Sequence, residues 1–225
     1  MLSERKNMNK IVFLTTLLFL TTSCTQGNIM LSGQNTGIWK DADGKTFEIQ
    51  RNPNPKEAYD FTVTLIDAPK ELQATMAGAF YVSDCQLTVN KAAGANTMMS
   101  YILPIHFNKI KDNVYQATVY KDALLEKFPN GSTCNWKLFS VEMYFEPTPN
   151  IANIRYLASI DLNKENQVAE NQWRVDNYIS RHRFNQKRKY DDGNLFTLPI
   201  GSNKSFFGEK KRAELATIHL EVKGK

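Results

Sequence analysis

The sequence predicts a mainly β protein, an antiparallel barrel or sandwich with one short helix. Segments in which apolar and polar residues alternate recur along the chain, and turn-forming residues separate them. There are about eight to ten such segments, a number typical of an antiparallel sheet that is closed or folded on itself.

The first predicted strands follow the start of the domain. Asp43-Gly44 is a turn dipeptide between Trp39 and the alternating pair Phe47 and Ile49, which predicts a hairpin. Residues 59–65 alternate next, and Pro69 ends that strand. The stretch "GAFYVSDCQLTV" is more uniformly apolar, which favours a central strand buried on both faces.

The middle of the chain contains the predicted helix. Residues 90–100 are interpreted as a loop, and extended structure resumes at residue 101, where Pro104 marks an edge strand or a break. After a further strand, Asp122 is placed to cap a helix over "ALLEKF". Residues 129–131, Pro-Asn-Gly, end this helix.

The second half returns to strand patterns. Residues 134–145 form one predicted strand, and residues 154–162 form the next. Residues 172–184 fit either a strand or a short helix, and residues 216–222 alternate as a final strand. The first of these strands places four apolar side chains on one face: Phe139, Val141, Met143 and Phe145.

The chain begins like a bacterial secretory signal peptide. Charged residues within 4–10 precede an apolar run over 11–20. A helix of that length reaches only about half the thickness of a bilayer, which favours cleavage over a permanent span. Translation starts at Met1 or at Met8, since Met8 is followed by an equally good start.

Small residues stand directly before the first cysteine, in the motif Leu20-Thr21-Thr22-Ser23-Cys24. This motif resembles the lipobox of bacterial lipoproteins, although the leucine lies one step further from the cysteine than is usual. The resemblance implies cleavage before Cys24 and attachment of lipid to its sulfur. Several acyl chains hold a protein at a membrane essentially permanently.

The lipobox divides the chain into three parts. Residues 1–23 are the signal peptide, residues 24–36 a lipidated N-terminus and tether, and residues 37–225 a β-rich periplasmic domain. Thr25 stands where an aspartate retains many lipoproteins in the inner membrane. The resemblance therefore implies an outer-membrane anchor with the domain facing the periplasm, in preference to the inner membrane or the cell surface.

Composition excludes some classes of function. Residues 1–23 hold three of the 28 basic and one of the 23 acidic residues, so 25 basic and 22 acidic residues remain after processing. This balance argues against a nucleic-acid-binding protein.

The two other cysteines, Cys85 and Cys134, are expected to form a disulfide in an oxidising compartment, with free buried thiols as the alternative.

No signature of catalysis is found in the sequence. His106, His182 and His219 are isolated from any nucleophile or metal-binding motif, so we expect no catalytic residues, metal or cofactor. His106 is expected in or near the core and His219 on a polar strand face.

A basic cluster is the candidate site for an anion or a partner, with a solvated surface as the alternative: Arg181, Arg183, Lys187, Arg188 and Lys189.

Two further resemblances bear on function. Residues 61–128 resemble a module of uncharacterised bacterial lipoproteins, which brings no function with it. Gly37 and Trp39 resemble the first motif of lipocalins, which implies a carrier of lipid or a small hydrophobic ligand; a turn and a core aromatic explain them equally well.

The expected function is therefore recognition of another protein. A lipid-anchored β domain without catalytic motifs has its loops, edges and faces as working surfaces. We expect a non-enzymatic protein-binding lipoprotein, of which an immunity or inhibitor protein against a periplasmic toxin or hydrolase is one form. The lipocalin-like carrier is the alternative.

Overall fold

The computed structural model describes residues 36–148, 154–180, 196–199 and 215–225, and this part of the chain is mainly β. The prediction of a mainly β fold is confirmed. In chain order the strands are β1 (Ile38–Lys40), β2 (Thr46–Glu48), β3 (Ala58–Ile66), β4 (Leu72–Asn90), β5 (Ala95–Ile105), β6 (Asn108–Lys111), β7 (Val114–Tyr120), β8 (Trp136–Pro147), β9 (Ile154–Asp161), β10 (Gln167–Ala169), β11 (Gln172–Ser180), β12 (Phe196–Pro199) and β13 (Leu215–Gly224).

Two large sheets contain all of these strands except the β1–β2 hairpin. The six-stranded sheet has the order β10-β11-β13-β3-β7-β6, and the five-stranded sheet has the order β12-β9-β8-β4-β5. Neighbouring strands are antiparallel, except that β12 pairs with β9 in parallel. The last strand, β13, thus lies in the middle of its sheet, between β11 and β3.

The inner faces of the two sheets share one hydrophobic core. Phe61 and Val63 of β3 belong to the same buried cluster as Tyr81 of β4 and Phe145 of β8. The rings of Tyr115, in the six-stranded sheet, and Phe145, in the five-stranded sheet, meet edge to face with centroids 6.5 Å apart. Alternation along each strand produces this core, because every second side chain points inward.

A second, smaller core contains the predicted hairpin and the disulfide. Trp39 pairs with Phe47 across the hairpin and is 2% exposed, which confirms both the hairpin and the core role of this tryptophan. Its indole Nε1 donates a hydrogen bond of 3.1 Å to the carbonyl oxygen of Ser100. The predicted disulfide between Cys85 and Cys134 is present and lies against this core.

The Gly37 position explains the glycine of the Gly-x-Trp motif. Its φ angle is +72°, which side chains rarely tolerate, and an added Cβ would lie 3.2 Å from the ring of Tyr101. Gly37 also accepts a hydrogen bond of 2.8 Å from the backbone N–H of Ile49. A turn and a core aromatic therefore account for the motif.

The predicted helix over "ALLEKF" is wrong. Residues 121–133 form turns and isolated bridges, and Arg51 pairs with Leu124. The carboxylate of Asp122 does not cap a helix but accepts backbone N–H groups of Lys56, at 2.9 Å, and Glu57, at 3.0 Å. The segment is extended because long-range partners take the backbone groups that a helix would use.

The predicted loop over residues 90–100 is also wrong. β4 continues to Asn90, and β5 begins at Ala95, so only residues 91–94 make the turn. Two expectations for the neighbouring strands are confirmed, because β4 is an interior strand, between β8 and β5, and Pro104 lies on β5, which is an edge strand. The expected burial of β4 on both faces is wrong, since Phe80 is only partly buried and Asp84 and Gln86 are exposed.

Several predictions fall outside the described residues. The signal peptide, Cys24 and the tether lie within residues 1–35, and the basic cluster Arg181, Arg183, Lys187, Arg188 and Lys189 lies within residues 181–195. These predictions stay predictions. No helix in the described part of the chain is long and apolar enough to cross a membrane.

Candidate functional site

The outer face of the five-stranded sheet exposes large apolar side chains. Because Ala77, Ala79 and Tyr81 of β4 point into the core, the residues between them point outward. Met76 is 45% exposed and Phe139 is 41% exposed. We call this surface the outer apolar face and define it by five side chains from four strands: Met76, Phe80, Ile102, Phe139 and Leu157.

Strand pairing places these side chains on one continuous surface. Phe80 pairs with Ile102 on β5 and with Ser140 on β8, and Met76 pairs with Tyr144. Leu157 of β9 pairs with Tyr144 from the other side. Paired residues of neighbouring strands point to the same face, so the apolar side chains extend across four strands.

Phe139 reaches this surface through a β-bulge, so its predicted place on the same face as Val141, Met143 and Phe145 is wrong. Phe80 pairs with Ser140, but the next residue, Tyr81, pairs with Leu138, so Phe139 is an extra residue in β8. An extra residue reverses the direction of the side chains on one side of the bulge. Leu138 is buried in place of Phe139, whose ring meets that of Phe80 edge to face at 6.0 Å.

Two carboxylates lie beside the outer apolar face. Glu142 pairs with Gly78 on one side and Ser159 on the other, and Asp161 pairs with Ser140. Glu142 and Asp161, which we call the acidic pair, therefore occupy neighbouring rows of the same sheet face. Neither side chain forms a salt bridge with any other described residue.

The surroundings of Glu142 disfavour its charged form. Burial raises the pKa of its carboxyl group, and the nearby charge of Asp161 raises it further. A hydrogen bond from the hydroxyl of Tyr144, 3.3 Å from Oε2, acts in the opposite direction but does not offset them. Glu142 is thus a half-buried carboxylate that forms no salt bridge with any described residue.

Gly78 shapes the surface next to Glu142. An added Cβ at Gly78 would lie 2.8 Å from Cγ2 of Ile102, so the isoleucine extends over the backbone of β4. With no side chain on Gly78, nothing on that residue separates Ile102 from the row of Glu142. The apolar and acidic parts of the face are therefore contiguous.

Arg155 lies at the margin of this surface. Its guanidinium group is 4.7 Å from the centre of the Tyr144 ring, a cation–π geometry. Its Nη1 is 3.7 Å from the sulfur of Met76. Arg155 covers the Tyr144 ring and is not among the groups that shift the pKa of Glu142.

The outer face of the six-stranded sheet has a different character. Most of its outward side chains on β3 and β7 are polar, among them Thr62, Thr64, Gln116 and Thr118. This sheet also has exposed apolar residues at the end of β3 and on its two edge strands, namely Ile66, Ile110 and Val168. On β11 and β13, Arg174 donates to Glu221 at 2.9 Å. The central strands β3 and β7 of this sheet are thus mainly polar on their outer face, unlike β4 and β8 of the five-stranded sheet.

One histidine–aspartate pair lies on this polar face. Nδ1 of His219 is 2.6 Å from Oδ1 of Asp176, and the hydroxyl of Tyr178 donates to the other carboxylate oxygen at 3.5 Å. His219 is partly exposed on the outward side of β13, as predicted. The cross-strand neighbour of His219 on β3 is Thr64, and among the described residues no serine, threonine or cysteine is recorded in a hydrogen bond with His219.

The other predicted positions are as follows. His106 is exposed, so its predicted place in or near the core is wrong; it lies in the short connection between β5 and β6, outside both ladders. His182 lies outside the described residues. Asp84, Cys85 and Cys134 cluster closely, but the two sulfurs are joined in the disulfide and cannot act as thiolate ligands.

Asp84 instead supports the loop next to the disulfide. Its carboxylate accepts the side-chain Nδ2 of Asn135 at 2.6 Å and the backbone N–H of the same residue at 2.8 Å. These hydrogen bonds lower the pKa of Asp84. The role of this carboxylate is structural.

The sequence reasoning missed the outer apolar face and the acidic pair. The signal for the former was present, since the stretch around Phe80 is apolar at outward as well as inward positions. We interpreted that pattern as burial on both faces. A strand with one buried face and one exposed apolar face has the same sequence pattern. Compared with models of protein families, with curated proteins and with solved structures, the chain has no significant match.

Proposed function

We propose that this protein is a non-enzymatic protein-binding lipoprotein of the periplasm and that it binds through the outer apolar face. The observation that carries the proposal is the exposure of Phe139 and Met76 on the same face as Phe80, while the outer face of the opposite sheet is mainly polar along β3 and β7. Contiguous exposed apolar surface with aromatic residues is typical of sites where proteins bind each other.

The physical gain from covering this face is substantial. Removing apolar surface from water contributes about 25 cal/mol per Å². Aromatic residues such as Phe80 and Phe139 lose little conformational entropy when they are covered, so they serve as anchors. The acidic pair and Arg155 supply the polar surroundings that give such a contact orientation and specificity.

The expected lipid on Cys24 sets the reach of the domain. Residues 25–36 are polar and rich in turn formers, and a tether of twelve residues with this composition would span roughly 20 Å. An anchored domain would meet partners close to the membrane surface. An immunity or inhibitor protein that intercepts a periplasmic toxin or hydrolase is one concrete form of this function.

We propose that the fold is the sandwich and not the barrel, since the two sheets share one core, and that its filled interior favours binding at a surface over carriage in a cavity. Large side chains occupy the interior between the sheets, among them the fully buried Tyr81, Tyr156, Phe61, Phe145 and Met143. A lipid carrier needs an apolar cavity of several hundred Å³. We therefore prefer the protein-binding function to the lipocalin-like alternative.

Site-specific photo-cross-linking in intact cells tests the proposal. A photoreactive amino acid at position 139 should give a discrete protein adduct, and the matched positions 116 and 118 on the opposite sheet should not. A Phe80→Ser substitution in the same chain should abolish the adduct. Equal adducts from all positions, or none from position 139, would contradict binding through this face.

Metabolic labelling tests the anchor separately. A clickable palmitate analogue should label the full chain, and Cys24→Ala should remove the label and release the protein from the membrane fraction. Retained label in the variant would exclude Cys24 as the lipid attachment site. Sensitisation of cells to an effector encoded next to the gene, after deletion of the gene, would identify the immunity form.

A further inference from the structure

We infer that the partner covers the outer apolar face with an apolar surface that carries an arginine or lysine, and that this cation lies at the acidic pair, Glu142 and Asp161. The inference rests on the proposed function and specifies the chemistry of its partner. It follows from the arrangement of charge and apolar surface on this one sheet face.

The apolar side chains determine the first requirement on the partner. Phe80 and Phe139 meet edge to face, and Ile102 lies on the other side of Phe80. They form a surface at which water is removed when a partner binds. A partner without apolar residues opposite these rings would leave them uncovered.

The acidic pair determines the second requirement. Ser140, the direct partner of Phe80, also pairs with Asp161, and Glu142 is two residues from Ser140 along β8. A partner that covers the phenylalanine rings therefore also approaches both carboxylates. It would take them out of water, which is unfavourable unless it supplies a compensating positive charge.

Charge complementarity selects the cation. Burial and Asp161 already raise the pKa of Glu142, and no described residue forms a salt bridge with either carboxylate. A guanidinium or ammonium group would stabilise the charged form of both and form charge-assisted hydrogen bonds with them. An acidic or purely apolar partner would leave the carboxylates unpaired. The site therefore discriminates against such partners in favour of one that carries a cation.

A pair of peptides tests this inference. One carries a central arginine flanked on each side by leucine and phenylalanine, and the other replaces the arginine with neutral citrulline, which has almost the same shape. Binding of each fluorescent peptide to the full chain in nanodiscs is measured by anisotropy. We expect the arginine peptide to bind about tenfold more tightly than the citrulline peptide, a difference of about 1.4 kcal/mol.

Two variants and a control assign that preference to the acidic pair. Glu142→Gln and Asp161→Asn should each reduce the ratio of the two affinities toward one. Asp176→Asn, on the opposite sheet, should leave the ratio unchanged. Phe139→Ser should weaken both peptides by a similar factor of about ten, because it removes apolar contact and not charge.

The possible outcomes separate the inference from the proposed function. Equal affinity for both peptides, with Phe139→Ser still weakening both, would overturn the cation while leaving protein binding at this face intact. No adduct from position 139 in cells would overturn the proposed function itself. Two other results would overturn the inference. An adduct of twice the chain mass would show that a second copy covers the face. Contact between Phe139 and the lipid of nanodiscs without peptide would assign the face to a membrane.

Discussion

The hydroxyl of Tyr81 donates a hydrogen bond of 2.5 Å to the backbone carbonyl oxygen of Tyr120. Tyr81 belongs to the five-stranded sheet and Tyr120 to the six-stranded sheet, so this bond joins the two layers. Tyr81 is fully buried, and burial, with the charge of Asp122 as a second cause, raises the pKa of its hydroxyl well above the usual range. The hydroxyl therefore stays protonated and remains a donor.

Tyr81→Phe should destabilise the protein by about 1–2 kcal/mol, because the variant keeps the ring but leaves a carbonyl oxygen without its donor. Urea unfolding followed by circular dichroism measures the change. Tyr101→Phe is the matched control, since no described residue hydrogen-bonds to the Tyr101 hydroxyl. An equal effect of the two substitutions would show that the bond between the sheets contributes nothing of its own.

Removal of the disulfide should have a larger effect. Cys85 and Cys134 are 49 residues apart, and closing a loop of that length stabilises a fold by about 4 kcal/mol in the chain-entropy model. The double variant Cys85→Ala, Cys134→Ala should lose roughly that much free energy of unfolding. The reduced wild-type chain should unfold at the same urea concentration as the variant. A loss below about 1 kcal/mol would show that the small core around Trp39 holds this end of the molecule without the covalent link.

Asp122 should make stability depend on pH in the acid range. Burial raises the pKa of this carboxyl group, but hydrogen bonds from the backbone N–H groups of Lys56 and Glu57 lower it by more, so the pKa is lowered overall. The ionised carboxylate therefore stabilises the folded state fully at pH values above its pKa in the unfolded chain, 3.8. This stability is lost as the pH falls through the lower pKa of the folded state. Asp122→Asn should therefore cost about 1–2 kcal/mol at pH 7 and progressively less in acid.

Asp112→Asn is the control for this effect. Asp112 is almost fully exposed and pairs only with Lys109 in an exposed ion pair. Its replacement should change the free energy of unfolding by less than about 0.5 kcal/mol at any pH. If Asp122→Asn cost the same at pH 3 as at pH 7, the carboxylate charge would not be what holds the segment.

Glu142 should show the opposite dependence on pH. Because its pKa is raised in the folded state, its charged form disfavours folding, and the penalty appears as the pH rises from the unfolded pKa through the folded one. Glu142→Gln should be slightly more stable than wild type at pH 7, by no more than about 1 kcal/mol, and equal to it below about pH 4. Thermal melts at both pH values measure this. A variant less stable at pH 7 would show that the hydrogen bond with Tyr144 outweighs the burial of charge.

Local patterns in the sequence predict the strands but not the bulge. Alternation places β3 and β13 correctly, and the Asp43-Gly44 dipeptide places the hairpin that buries Trp39. Alternation in β8 places Phe139 on the face of Val141, Met143 and Phe145, but the β-bulge turns it to the other face. Its direction depends on how β8 aligns with β4, and no short-range signal contains that information.

Long-range contacts also explain the helix that does not form. Asp122 is a good helix cap in its local context. Its carboxylate instead accepts hydrogen bonds from the backbone N–H groups of Lys56 and Glu57, which lie 66 and 65 positions earlier in the chain. The acidic pair has a similar origin, because Glu142 and Asp161 become neighbours only through the register of β8 and β9. Sequence alone places these residues on strands without bringing them together.

The position of β13 governs how the molecule can be made. This strand, residues 215–224, is synthesised after every other described strand but fills the gap between β11 and β3. Until β13 is synthesised and paired, both neighbours have unpaired edges that are prone to aggregation. A nascent chain that stalls before residue 215 lacks the core residues of β13 and has two open edges, so we expect it to aggregate more readily than the complete chain.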